Sequence, residues 1–162
     1  MSAGRIERFD AVATAVFSAS AVAAAVIFTQ PWTRIAVAVS LACFAAGIVA
    51  FLWGYAVAVQ RSRVDDISVA AMYFLVDGAA PRRTGRVLNG LLAVQVAVGL
   101  VTALARPSTD GKAGSTLAFG ILVPVLGLGL NGLWAARHGT FRPRRRGNPD
   151  ADSPRGQDDG HE

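Results

Sequence analysis

Hydrophobic positions along the chain gather into four long runs, 11–29, 35–59, 87–105 and 117–136, and none of them contains a charged side chain. All 16 Lys and Arg and all 11 Asp and Glu lie in the segments between and beyond those runs. At roughly 1.5 Å of rise per residue, the shortest run reaches about 28 Å as a helix, close to the roughly 30 Å of a bilayer's hydrocarbon. Charge in hydrocarbon is costly, so segregation of this kind is what a membrane imposes. The pattern predicts an all-α fold: an integral membrane four-helix bundle with spans 11–29, 35–59, 87–105 and 117–136.

The segment between the second and third spans carries a shorter apolar stretch. Asp65 and Asp66 supply capping charge, Ile67 to Val76 is uninterrupted apolar sequence apart from Ser68, and Gly78 and Pro81 end it. Ten helical residues reach only about 15 Å, too short to cross. A short cytoplasmic interfacial helix over 66–77 follows, lying in the inner interface or tucked against the bundle; docking of a partner is the alternative. Residues 1–10 form a cytoplasmic N-terminal segment. Residues 137–162 form a basic and then acidic tail, rich in Asn, Asp, Ser, Pro and Gly, for which disorder is expected.

Composition changes this picture in few places. The single cysteine, Cys43, lies inside a span and leaves no disulfide or cysteine metal cluster to build. A net charge of +5 would suit nucleic acid, but the placement of the cations points to the membrane instead. Arg5, Arg8, Arg61, Arg63, Arg82, Arg83, Arg86, Arg137, Arg142, Arg144, Arg145, Arg146 and Arg155 share one side, whereas Arg34, Arg106 and Lys112 face the other. This positive-inside asymmetry places both termini in the cytoplasm and the protein in the inner membrane. Arg5 and Arg8 before an apolar run with Ala-x-Ala tripeptides also resemble a signal peptide. The length of that run, with Glu7 and Asp10 before it, favours an uncleaved span.

Pro31, in the five-residue connection 30–34, is expected to end the first helix and close a tight hairpin. Trp32, Trp53, Tyr55 and Trp134 fall where amphipathic rings anchor in headgroups. Small residues let membrane helices approach closely, and Ala38, Ala42, Ala46, Ala50, Gly54 and Ala58 recur every four positions as a packing stripe. Ala11, Ala15, Ala19 and Ala23 answer from span one. Among intramembrane polar groups, matched depth pairs Gln95 with Ser18 or Ser20, Asn89 with Asn131, and Thr102 with Ser40. Simple satisfaction within the helices is the ordinary reading, and lining a solute path is the other. Pro124 deprives Gly120 of its usual hydrogen-bond donor and predicts a kink in span four. Arg82, Arg83, Arg86, Arg142, Arg144, Arg145 and Arg146 are candidate contacts to anionic lipid.

No Asp, Glu, Lys, Arg or His falls within these spans, so the membrane-embedded carboxylate of a proton-coupled exporter is not expected. No catalytic, metal-ligating or cofactor-binding motif is present in the sequence. Fifteen arginines against one lysine suggest a GC-rich bacterial source. The stretches VDDISVAAMYFLVDG at 64–78 and GLNGLWAARHGTFRPR at 129–144 resemble small uncharacterised four-span membrane proteins of actinobacteria. That resemblance implies an inner-membrane location and no activity. The expected partners are lipids and another membrane protein or a second copy, not nucleic acid. The expected role is a non-enzymatic accessory or scaffolding subunit, with a homo-oligomeric channel or facilitator as the alternative.

Overall fold

The computed structural model describes residues 2–109 and 112–143, and four of its helical segments are long and apolar enough to cross a membrane. Helix α1 spans Ala3–Ile27. It begins well before the uncharged run, because no proline interrupts residues 3–10 and the charged side chains of Arg5 and Arg8 stay exposed. One face is buried, at Ile6, Asp10, Thr14, Phe17, Ala21 and Ala24. These positions advance by three and four, the spacing of a helix stripe.

Helix α2 spans Gln30–Arg61, so the connection from α1 shrinks to Phe28 and Thr29. Pro31 starts the second helix and does not end the first: in the opening turn its missing N–H has no intrahelical partner to lose. Arg106 closes the other helix end, donating from Nε to the Ala25 carbonyl at 2.9 Å while its guanidinium lies over the Phe28 ring. At about 48 Å, α2 is longer than a hydrocarbon core, and its last turn carries Arg61 beyond it.

Two short antiparallel ladders tie the loops: β1 (Asp65–Asp66) with β4 (Arg142–Pro143), and β2 (Ser108–Thr109) with β3 (Lys112–Ala113). Helix α3 is Val69–Phe74, shorter than the expected 66–77. Its cap is Ser68, whose hydroxyl accepts from the Ala71 N–H, because Asp65 and Asp66 are drawn into the ladder. Helix α4 spans Arg82–Ala105.

The fourth span is broken at Pro124, as the sequence leads one to expect. A 3-10 segment, Thr116–Leu122, gives way to α5, Pro124–His138. The Gly120 carbonyl is not left free, however, since the tighter turn brings the Val123 N–H to it at 3.2 Å.

Helix α5 is the hub of the bundle, buried on nearly every side from Leu126 to Ala136. Close approach explains its glycines. A Cβ on Gly47 of α2 would fall 2.5 Å from the Leu126 nitrogen, and one on Gly54 would fall 2.8 Å from the Leu133 nitrogen. Trp134 is part of this core at 3% exposure, so it does not anchor at a headgroup, whereas Trp53 and Tyr55 are exposed.

Candidate functional site: two polar clusters inside the bundle

The buried face of α2 runs Ala36, Ser40, Cys43, Gly47, Ala50, Gly54 and Ala58. Only the C-terminal half of the predicted stripe belongs to it: Ala50, Gly54 and Ala58 are buried, Ala46 is half-buried, and Ala38 and Ala42 are exposed. A strict four-residue repeat turns 400° per step, so it drifts about 40° each time and leaves the face within a few turns. The partner of that face is chiefly α5, not α1. On α1, Ala11, Ala15 and Ala19 are exposed as well.

Toward the end of the bundle where α3 lies, Asn131 of α5 donates from Nδ2 both to Asn89 Oδ1 of α4 and to the Tyr73 carbonyl, each at 3.0 Å. Asn89 in turn donates to the Phe74 carbonyl at 2.6 Å. Tyr73 and Phe74 are the last residues of α3, so two amides from two long helices hold carbonyls that a helix end leaves orphaned. The rest of the docking is apolar. Ala71, Met72 and Tyr73 are buried, the Tyr73 ring stacks on Phe51 at 4.6 Å, and Gly132 leaves room for it. Burial, with a smaller contribution from Tyr55, pushes the Tyr73 phenol above its ordinary range, and its hydroxyl has no partner. Helix α3 is tucked against the bundle through this clamp.

Beside it, Arg61 ends α2 by donating to Asp65 at 2.9 Å and to the Ala136 and Gly139 carbonyls at the C-terminus of α5, where positive charge complements the helix dipole. Phe141 lies under the same guanidinium. Thr140 continues the closure through Gly78 and Ala79.

The second cluster lies deeper and was not expected. Gln95, fully buried on α4, donates from Nε2 to Asp10 Oδ1 at 3.0 Å and to Thr14 Oγ1 at 2.7 Å. Its Oε1 accepts the Gly127 N–H at 3.2 Å. That N–H belongs to the first turn of α5 after the Pro124 break, where backbone donors lack intrahelical partners. One amide thus uses both hydrogens and its oxygen to join α1, α4 and α5. Asp10 is itself fully buried, and its Oδ2 has no partner. The expectation that the bundle interior lacks a carboxylate is therefore corrected: the helix runs back past the uncharged run and carries Asp10 inside. The signal was present in the sequence. Extending the stripe of Phe17 and Thr14 backward reaches Asp10 and then Ile6 at helical spacing.

The other predicted pairings are not made. Ser20 donates to the Phe17 carbonyl, Ser40 to Ala36 and Thr102 to Val98, each within its own helix. The Ser18 hydroxyl is buried without a partner. Arg82, Arg83, Arg86 and Arg142 are exposed, while Arg144, Arg145 and Arg146 lie outside the described residues, as does most of the expected tail. Among the described residues, no group of three or more His, Cys, Asp or Glu comes together to hold a metal. Compared with known proteins, the chain matches no family model, no curated protein and no solved structure.

Proposed function

We propose that this is a non-enzymatic subunit of a bacterial cytoplasmic membrane, with both termini inside, that works by packing against another membrane protein or a second copy. The observation that carries this reading is the exposure of small-residue faces: Ala11, Ala15 and Ala19 on α1, and Ala38 and Ala42 on α2. Within hydrocarbon, helices associate through small residues that bring backbones together. Here the internal packing uses other positions, Gly47, Gly54 and Gly99 among them, and leaves these faces uncovered. The cation asymmetry supports the orientation, and the exposed Arg82, Arg83 and Arg86 suit contact with anionic lipid. The channel alternative draws no support from the polar residues assigned to its pore. Gln95 and Asn131 are fully buried, and both engage neighbouring helices of the same chain.

Extraction in mild detergent at native expression, followed by particle mass and identification of copurifying protein, tests the proposal. A stoichiometric partner or a defined homo-oligomer is expected, and Ala15→Leu with Ala42→Leu is expected to lower its yield several-fold while the monomer's stability changes by less than about 0.5 kcal/mol. A monodisperse monomer, or an assembly indifferent to both substitutions, overturns it.

A further inference from the structure

We propose that Asp10 is a reversible proton-binding site inside the membrane bundle, and that Gln95 transmits its occupancy to the break at the start of α5. This goes beyond the packing role and does not depend on it.

Three observations carry the inference. Asp10 is fully buried, on a face of α1 whose other buried residues are apolar or hydroxyl-bearing. An ionisable side chain held within a membrane bundle is expensive and marks function by default. Its two oxygens are treated differently: Oδ1 receives the Gln95 donor at 3.0 Å and faces the Thr14 hydroxyl at 3.5 Å, whereas Oδ2 has no partner. A bare carboxylate oxygen in the interior is costly to leave ionised, and a proton on Oδ2 removes that cost.

The ligand follows from the donor set. Gln95 turns its N–H groups, not its oxygen, toward Asp10 and Thr14, while its oxygen is committed to Gly127. A metal cation at Asp10 would meet those hydrogens, so the amide orientation disfavours it. A proton needs one carboxyl oxygen and no coordination shell.

Among the described residues, the surroundings supply no fixed counter-charge. From α2, Cys43 is the titratable side chain close enough to interact with Asp10 electrostatically, and that helix carries cations only near its ends, at Arg34 and Arg61. From α4 the facing group is Gln95, and its cations, Arg82, Arg83 and Arg86, are in or next to the first turn. Helix α5 carries none before Arg137, and the 3-10 segment has no charged residue. On α1 itself Arg5 and Arg8 are exposed, and Glu7 accepts from Thr84.

Transmission needs only the bonds present. Loading Oδ2 removes the negative charge that Gln95 Nε2 now serves, and the same amide holds the Gly127 N–H beside Pro124. Proton binding at Asp10 therefore acts on the one point where the fourth span is already broken.

The test is infrared difference spectroscopy of the full chain in lipid nanodiscs, titrated from acid to alkaline pH. A carboxylic C=O band that is present in acid, lost reversibly in base and missing from Asp10→Asn is expected. Exchange of the Gly127 amide with deuterium should change over the same pH interval in the wild type and stay constant in the variant. Should Asp10→Asn not fold, wild-type protein carrying carboxyl-labelled aspartate gives the same reading, because the buried band exchanges slowly with deuterated water. A buried aspartate that never carries a proton, or one that never releases it, overturns the site. A titrating Asp10 with unchanged Gly127 exchange overturns the transmission.

Discussion

Gln95 and Asn131 are both fully buried amides in one apolar bundle, yet they hold different things. Asn131, with Asn89, grips the end of α3 through two backbone carbonyls. Every group in that clamp is neutral, and the oxygens left over, Asn131 Oδ1 and the Tyr73 hydroxyl, belong to an amide and a phenol. Gln95 uses both amide hydrogens and its oxygen and still leaves an acid with a bare oxygen. The clamp is a fastening, made because a helix end leaves its last carbonyls without intrahelical donors. The Gln95 cluster fastens three helices too, but around an ionisable group. An apolar residue in place of Asp10 would pack there at no electrostatic cost.

The largest effect that tests this contrast is expected from Gln95→Leu. It strips the donor from Asp10 and Thr14 and orphans the Gly127 N–H, a loss on the order of 3 kcal/mol for a buried group bonded to a carboxyl. Adding Asp10→Leu should recover much of it, since removing both partners leaves no stranded charge. Thermal unfolding in detergent micelles reads both variants. A double variant no more stable than the single one would mean that the bonds to Gly127 and Thr14, not the carboxyl, dominate the cluster.

Asn131→Leu ranks next. Tyr73 loses its carbonyl partner and Asn89 its donor, a cost of about 1–2 kcal/mol on membrane hydrogen-bond scales. The clamp holds α3 and adds one amide pair between α4 and α5, so the expected result is faster deuterium exchange concentrated over residues 69–76, with the four long helices kept. Loss of the whole bundle would show that the clamp, like the Gln95 cluster, supports the long helices.

These two clusters also mark what the sequence could show. Four spans, the Pro124 break and the depth match of Asn89 with Asn131 are legible because each follows from local composition or rise per residue. The Asp10 site was hidden by the device that revealed the spans. Counting uncharged residues ends a span at the first charge, whereas a helix ends where its backbone does, and α1 runs back to Ala3. The stripe on α2 failed for a related reason. A four-residue repeat looks like a face in one dimension, but the buried positions Ala36, Ser40, Cys43, Gly47, Ala50 and Gly54 alternate three and four. Nothing local announces that α5 is the hub; Gly127, Gly129 and Gly132 gain that meaning only when α2, α4 and Tyr73 are seen against them.

The smallest effect belongs to Asn89→Ala, and its smallness would sharpen the comparison. Asn89 is half-buried beside a cleft of about 590 Å³ lined by Leu75, Arg82 and Arg86, whereas Asn131 is fully enclosed. Truncation frees the Phe74 carbonyl, but Phe74 is itself 51% exposed, so a water molecule is expected to replace the lost donor. Asn131 keeps its bond to Tyr73. A loss below about 1 kcal/mol is expected by thermal unfolding, well under that of Asn131→Leu. Equal losses would place Phe74 as deep in the protein as Tyr73 and would make α3 a fully membrane-embedded element. A smaller loss at Asn89 fits a helix whose Tyr73 side is sealed into the bundle while its Phe74 side is exposed.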